Sequence, residues 1–321
     1  MTTAPARPEP VGDCPPAPTA TSAATATDPS VRTSRPGVLA AVAVVATMVM
    51  WASAFVAIRH IGPDLSPGPL ALIRVVIATL VILPLAVRAG LQVPRGRAWW
   101  VVGSYAILWM ALYSVVINSA EHHLDAGTTA MLVNVAPILV TLWVGLVQRA
   151  GFTRPLVGGL VVAFTGVSVI ALGNDGAQRS LIGIALGLLA AILFATGILL
   201  QKHLLRSMDA LSVTWWGMAL GAVALLPFVP TALAEAGSAP ASALLSALYL
   251  GIFPTALAFT LWAYALRRVE AARLSLSSYL VPAFAVLLSW VLLAEVPTAA
   301  GLVGGTLCLA GVAISRIRTR G

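Results

Sequence analysis

The 321-residue chain is 59% hydrophobic and only 9% charged, and its mean hydropathy is +0.95. These values lie well outside the range of soluble globular domains and indicate a chain that resides in a bilayer. The net charge of +8 requires no nucleic-acid partner, because basic residues near the ends of spans interact with anionic lipid. Cys14 and Cys308 are the only cysteines, and their positions indicate neither a disulfide nor a metal or redox site, so no cofactor is expected.

The first 36 residues are rich in Pro, Ala, Thr and Ser and contain no apolar run, so residues 1–36 are predicted to be a disordered cytoplasmic tail and not a cleavable signal. Ten apolar stretches follow, each long enough to cross about 30 Å of hydrocarbon. The predicted spans are 37–58, 67–87, 98–118, 126–148, 155–173, 182–201, 211–230, 243–265, 271–294 and 297–316. Residues 317–321 remain as a C-terminal tail.

The basic residues provide an independent test of this number of spans. If the N-terminus is inside, sixteen basic residues fall in cytoplasmic segments, and only Arg59 and Arg179 fall in outer segments. If one span were missed or added, every later segment would change sides of the membrane, and this distribution would be lost. The pattern therefore predicts an all-α, multi-pass protein of the plasma (inner) membrane with both termini cytoplasmic.

Two halves of the chain resemble each other. Residues 126–167 and 271–312 run in parallel at an offset of 145, which aligns Pro137 with Pro282 and Gly159 with Gly304. Upstream, at an offset of 143, residues 51–55 align with 194–198. We therefore predict two five-helix repeats, 37–173 and 182–316. Because five is odd, the second repeat enters the membrane from the opposite face, and inverted repeats are typical of secondary transporters.

Pro137 and Pro282 lie near the middle of their predicted spans, where proline removes a backbone hydrogen bond and bends a helix. One interpretation is a pair of bends beside a central substrate cavity, with roles as kinks or gates. The other is an ordinary packing kink. The recurrence of the proline in both repeats favours the cavity.

Amide, hydroxyl and aromatic side chains cluster in sequence around these bends. Such groups suit a small amphipathic metabolite, although Ser, Thr and Asn also join helices by hydrogen bonds, and Trp also lies in the interfacial belt. The uncharged candidates for substrate binding are Trp51, Ser53, Tyr113, Asn118, Asn134, Thr196, Trp262, Tyr264, Ser278 and Tyr279.

Arg74 completes this set as the only ionisable residue well inside a predicted span. It follows the N-terminus of its helix, where the macrodipole disfavours a cation. Its partner is predicted to be a carboxylate or phosphate of the substrate, or else its side chain snorkels to the outer interface.

The segment Glu121-His122-His123-Leu124-Asp125 contains potential metal ligands, but its counterpart at 266–270 has no histidine. We interpret Asp125 as a helix cap and predict no metal site. All four histidines lie at span ends, which argues against an intramembrane enzyme and a catalytic site. Glu121 also lies at a span end, where a solvated or capping role is expected, and proton coupling therefore stays open.

The order and spacing of several motifs resemble the drug/metabolite transporter superfamily, in its ten-span group with two EamA-type repeats. The resemblance covers residues 37–316 and rests on Trp51-Ala52-Ser53-Ala54-Phe55, Arg74, the two prolines, Ala294-Glu295 and the glycines of the last span. The first repeat departs from it, because Ala150 stands where the second has Glu295.

The resemblance implies a secondary transporter that exports amino acids, related metabolites or toxic amphipaths by alternating access. Uptake by the same fold and a non-transporting scaffold are the alternatives. The expected partners are a small-molecule substrate and the lipid bilayer, with a homodimer through paired glycines such as Gly183 and Gly187 as a further prospect.

Overall fold

The computed structural model describes residues 1–2, 38–147, 154–173, 181–268, 277–278, 280–294 and 297–315, and the predicted tails lie outside them apart from the first two residues. The described residues form helices and connecting turns, without a strand among them. The helices are α1 (Val38–Ile61), α2 (Pro67–Arg88), α3 (Ala98–Tyr105), α4 (Tyr113–Glu121), α5 (Ala126–Val133), α6 (Ala136–Val147), α7 (Arg154–Gly173), α8 (Leu181–Leu204), α9 (Ala210–Ala224), α10 (Val229–Ser238), α11 (Ala241–Leu250), α12 (Ala258–Arg268), α13 (Leu280–Leu293) and α14 (Ala299–Ser315).

Length and apolar composition identify membrane-spanning helices directly. Five continuous helices in the described ranges qualify, and α9 with α10 qualifies as a bent pair. Shorter apolar helices occupy the other four predicted positions: Ala126–Val140, Val157–Val169, Leu280–Leu293 and Ala299–Gly311. The chain is therefore a multi-pass membrane protein, while the number of ten spans and the location of the termini stay predictions.

The third and eighth predicted spans each contain a π-helical segment. The first, Ala106–Leu112, joins α3 to α4, and the second, Gly251–Leu257, joins α11 to α12. Their positions differ by the same offset of 145 that relates the two repeats in sequence. Because π-helical turns are rare and cluster at functional sites, their recurrence indicates that these two spans contribute to the functional site.

The two prolines also mark equivalent breaks. Helix α5 ends at Val133 and α6 begins at Ala136, one residue before Pro137. Helix α13 begins at Leu280, two residues before Pro282. Proline is well tolerated in the first turn of a helix because no intrahelical bond to its nitrogen is required there. The expected bend at Pro137 is thus a two-residue turn at Asn134 and Val135, and Pro282 lies in the first turn of α13.

Helices α7 and α14 pack along each other through glycines that the repeat alignment pairs. Gly166 lies against the Gly304 carbonyl and Cys308, while Gly311 lies against the Gly159 carbonyl and Ala163. The Cys308 thiol donates to the Ala163 carbonyl across the contact at 3.4 Å. The residues that α7 contributes to this contact are therefore the repeat counterparts of those that α14 contributes.

We expect Gly166→Ala to destabilise the protein. The new methyl carbon would lie 2.7 Å from the Cys308 nitrogen, so two backbones must separate, at a cost of about 1–3 kcal/mol. Gly158→Ala is the matched control on the same helix, because a methyl group there meets nothing within 4 Å. Thermal unfolding in detergent should show a lower melting temperature for Gly166→Ala only. Equal melting temperatures would mean that the two helices do not pack this closely.

The seventh span differs from the prediction of 211–230. Helix α9 bends by 49° into α10, which continues to Ser238, because Pro227 interrupts the helix at a short 3-10 turn. Glu235 on α10 accepts hydrogen bonds from the Ser66 nitrogen, at 2.8 Å, and from its hydroxyl, at 2.7 Å. The extra helix therefore supplies a carboxylate to the N-terminus of α2, eight residues before Arg74.

The glycine pairs pack within the chain. Gly183 and Gly187 meet Leu124 and Leu132, and Gly217 meets Tyr105. Gly221, Gly301 and Gly305 likewise contact Met110, Thr128 and Met131. These glycines therefore contact the chain's own helices, and a homodimer stays a prediction.

Candidate substrate cavity

A cavity lies where α1, α2, α4, α8 and α12 meet the two helix breaks. Its volume is about 50 Å³. The residues that line it are Trp51, Ala54, Phe55, Ile58, Arg74, Tyr113, Ile117, Val133, Asn134, Phe194, Phe259, Ser278 and Val281. Five of the predicted site residues therefore share one cavity: Trp51, Arg74, Tyr113, Asn134 and Ser278.

Aromatic rings form much of the cavity wall. The Trp51 ring lies edge-on to Phe194 and Phe259, with ring centroids 5.9 and 5.6 Å apart. Tyr113 lies 5.8 Å from Phe194. These separations are typical of favourable aromatic pairs. They create an apolar cage in which the indole Nε1 of Trp51 is buried and has no hydrogen-bond partner among the described residues.

Arg74 is the only charged side chain among the lining residues, all of which belong to the described part of the chain. It is 6% exposed, and its Nε donates to the Thr255 hydroxyl oxygen at 3.2 Å. Its Nη1 is buried without a partner in the described ranges. The guanidinium is thus held inside the protein and does not snorkel. The carboxylate of Glu121 is near enough to attract this charge, but Nη1 keeps a free donor, which suits it to bind an anionic group.

Asn134 lies in the break between α5 and α6, where it caps α5. Its Nδ2 donates to the Ala130 carbonyl at 2.9 Å, and its remaining side-chain atom Oδ1 can only accept. Ser278 lies in the segment before α13, and both side chains are buried. The two breaks therefore bring polar side chains to the same cavity. Tyr279, which the alignment pairs with Asn134, lies outside the described residues.

The other predicted site residues do not line this cavity. Trp262 is buried behind Trp51, with ring centroids 5.0 Å apart. The Ser53 hydroxyl bonds to the Tyr249 hydroxyl at 2.7 Å, and Asn118 Nδ2 donates to the Pro67 carbonyl at 3.0 Å. The Thr196 hydroxyl donates to the Ile192 carbonyl of its own helix at 2.8 Å, and Tyr264 is partly buried on α12 outside the cavity. The hydrogen bonds of Ser53, Asn118 and Thr196 join helices or satisfy backbone groups.

Sequence reasoning missed Thr255, the partner of Arg74, and the ring of Phe259. Thr255 follows Pro254 in the middle of the eighth span. That proline was a visible signal, because a mid-span proline leaves a backbone carbonyl in need of another donor. Phe259 carried no signal of its own, since apolar residues fill the whole span.

A second, polar recess of about 520 Å³ adjoins the cavity at Ile58, which lines both. Arg59, His60, Glu121 and His122 line it. Glu121, expected to be solvated or to cap a helix, is 2% exposed at the end of α4, and its backbone carbonyl accepts from Arg59 Nη1 at 2.8 Å.

Residues near this recess show no metal-binding cluster in the part of the chain that the structure describes. Burial lowers the pKa of His122 from its usual value, as do the nearby charges of His123 and Arg59. Asp125 caps α5 by accepting from the Thr128 nitrogen at 2.8 Å, which confirms its expected role.

The chain is similar to known transporters over most of its length. The model of the EamA-like transporter family matches residues 38–172 and again residues 181–317. The chain is 35% identical over 280 residues to a probable terminal-alkyne amino-acid exporter of Streptantibioticus cattleyicolor, covering 87% of this chain and 94% of the relative. It is 31% identical to the uncharacterized transporter YdfC of Bacillus subtilis, covering 84% and 88%.

A solved crystal structure shares the fold with a TM-score of 0.60 at 20% identity, covering 86% of this chain and 96% of the other. The names of both relatives and the description of the family model are those of transporters and not of enzymes. Because the family model matches both halves of the chain, one repeat in each, this protein belongs to the EamA-like transporter family.

Proposed function

We propose that this protein exports a small amino acid with an uncharged, apolar side chain across the inner membrane. The observation that carries the proposal is the chemistry of the cavity wall. It presents two buried donors, Arg74 Nη1 and Trp51 Nε1, and the acceptor Asn134 Oδ1 within one aromatic cage.

Each part of an amino acid has a counterpart in this cavity. The carboxylate accepts from Arg74, where the bond is charge-assisted and therefore strong. The ammonium group donates to Asn134 and lies near aromatic faces, which attract cations. The apolar side chain contacts Phe194 and Phe259. Cationic amphipaths are disfavoured, because they would meet the Arg74 charge without a lining carboxylate.

The relative from Streptantibioticus cattleyicolor supports both the substrate class and the direction, since its name describes an amino-acid exporter. A cavity of about 50 Å³ also favours small ligands over drug-sized ones. Export is thus proposed in preference to uptake by the same fold.

Alternating access is the proposed mechanism, carried out by ten spans in two inverted repeats with both termini cytoplasmic. The breaks before Pro137 and Pro282 and the two π-helical segments recur at equivalent positions. Equivalent flexible points in inverted repeats allow the halves to exchange conformations around a fixed site. Side chains from both halves contribute to the cavity, so the exchange would expose it to each face in turn.

Counterflow in proteoliposomes tests the proposal independently of direction. Vesicles loaded with unlabelled L-leucine or L-propargylglycine should accumulate external labelled L-leucine. Vesicles loaded with isopentylamine, which lacks the carboxylate, should not. Accumulation driven equally well by the amine, or absent with every amino acid tested in folded protein, would refute the proposed substrate class.

A further inference from the structure

The second π-helical segment begins directly after Leu250 and contains Pro254 and Thr255. In an α-helix the Leu250 carbonyl would accept from the nitrogen four residues later, but that residue is Pro254 and has no N–H. The Thr255 hydroxyl donates to this carbonyl at 2.7 Å. In the π-helical register the backbone donor to this carbonyl is the Thr255 nitrogen, five residues later, and the Thr255 hydroxyl donates to the same carbonyl.

This bond determines how the Thr255 hydroxyl meets Arg74. A hydroxyl has one proton to donate, and that proton is committed to the Leu250 carbonyl. The oxygen is then available only as an acceptor, and Arg74 Nε donates to it at 3.2 Å. Thr255 is 2% exposed, so no bulk water competes for either bond.

Close backbone packing brings the two residues together. Gly251, the first residue of the second π-helical segment, lies directly on α2. A methyl group there would be 2.5 Å from Ile77 Cγ2 and 3.2 Å from the Arg74 carbonyl. Thr255 lies one turn further along the same face. The segment therefore approaches α2 closely enough for a short side chain to reach the guanidinium.

We propose that Thr255 is a positioning residue that holds Arg74 by Nε, directs Nη1 at the substrate and so sets the preference for a carboxylate. The inference deepens the proposed function and rests on it for the identity of the ligand. Nε and Nη1 belong to one planar group. Fixing Nε at Thr255 therefore fixes the plane in which Nη1 can bind a carboxylate.

A purely structural role for Thr255 makes a different prediction. If the hydroxyl only satisfied the Leu250 carbonyl, its loss would reduce stability without changing which ligands the folded protein prefers. The ratio of the Kd values for L-leucine and isopentylamine separates the two roles, because a general loss of folded protein does not alter it.

The test compares Thr255→Val, which keeps the shape, with Thr255→Ser, which keeps the hydroxyl. Thr255→Val should weaken L-leucine binding about tenfold, the effect of losing one hydrogen bond to a charged group, and leave isopentylamine binding unchanged. Thr255→Ser should bind L-leucine nearly as the wild type does. Thr260→Val is the matched control on the same span, since its hydroxyl bonds only to the Ala256 carbonyl of its own helix at 2.7 Å.

A second measurement needs no ligand. In protein labelled with ¹⁵N-arginine, the Arg74 Nε–H, assigned by its loss in Arg74→Lys, should exchange with solvent faster in Thr255→Val than in wild type or Thr260→Val. Unchanged exchange, or equal weakening of leucine and amine binding, would overturn the positioning role. If wild-type protein fails to distinguish leucine from the amine while the exchange result holds, the substrate assignment fails and the positioning role stands.

Discussion

Arg74→Gln is expected to abolish counterflow of L-leucine and to weaken its binding by at least about 30-fold. Removing one member of a buried, hydrogen-bonded charge pair costs about 2–5 kcal/mol, and the proposed pair is the substrate carboxylate with this guanidinium. Arg74→Lys should rescue only part of the binding, because an ammonium group cannot reproduce the planar geometry. Isothermal titration with L-leucine measures the loss.

The same substitution should not destabilise the free protein. Arg74 is 6% exposed, and the desolvation of its charge outweighs its attraction to the nearby Glu121 carboxylate, so glutamine removes more cost than attraction. We expect an equal or higher melting temperature together with lost transport. Arg88→Gln is the control, since Arg88 is exposed in the last turn of the same helix. Normal transport by Arg74→Gln would exclude Arg74 as the carboxylate site.

Gly251→Ala is expected to impair both stability and substrate binding. Its methyl carbon would lie 2.6 Å from Ile77 Cβ, an atom that cannot move away without its backbone. The second π-helical segment must therefore shift from α2, at a cost of about 1–3 kcal/mol in the free energy of unfolding. The shift carries Thr255 away from Arg74, so L-leucine binding should weaken about tenfold as well. Thermal unfolding and titration with L-leucine measure the two effects.

Gly103→Ala provides the comparison, because a methyl group there meets nothing within 4 Å. Its melting temperature should be unchanged or slightly raised, since alanine favours a helix over glycine. If Gly251→Ala retained wild-type stability and affinity, the close approach of the second π-helical segment to α2 would not be needed for the site.

Much of the fold was predictable from patterns repeated in the sequence. The offset of 145 predicted equivalent disruptions at Pro137 and Pro282, and the structure places each proline in the first turn of a helix. It also aligned Gly166 with Gly311, which occupy equivalent places in the contact of α7 with α14. Proline and glycine carry such signals because they act on the backbone itself, through a missing donor or a missing side chain.

The cavity was predictable only in part. Trp51, Arg74 and Asn134 line it, whereas Asn118 and Thr196 bond to backbone carbonyls elsewhere. Residue type cannot separate these cases, because an amide or hydroxyl in a helix can bond to a backbone carbonyl as readily as to a ligand. The rotation of each helix about its axis decides which of these groups faces the cavity.

The sequence by itself determined the class of protein, the duplication and the presence of one ionisable residue at depth, because hydropathy, repeat spacing and proline position are properties of the chain. Only the tertiary structure decided that Arg74 is held by Thr255. The two residues are 181 positions apart, and their meeting depends on Gly251 packing against α2 and on a π-helical register that hydrophobic patterns do not encode. Contacts between distant segments depend on how helices pack, and that is set by many side chains at once.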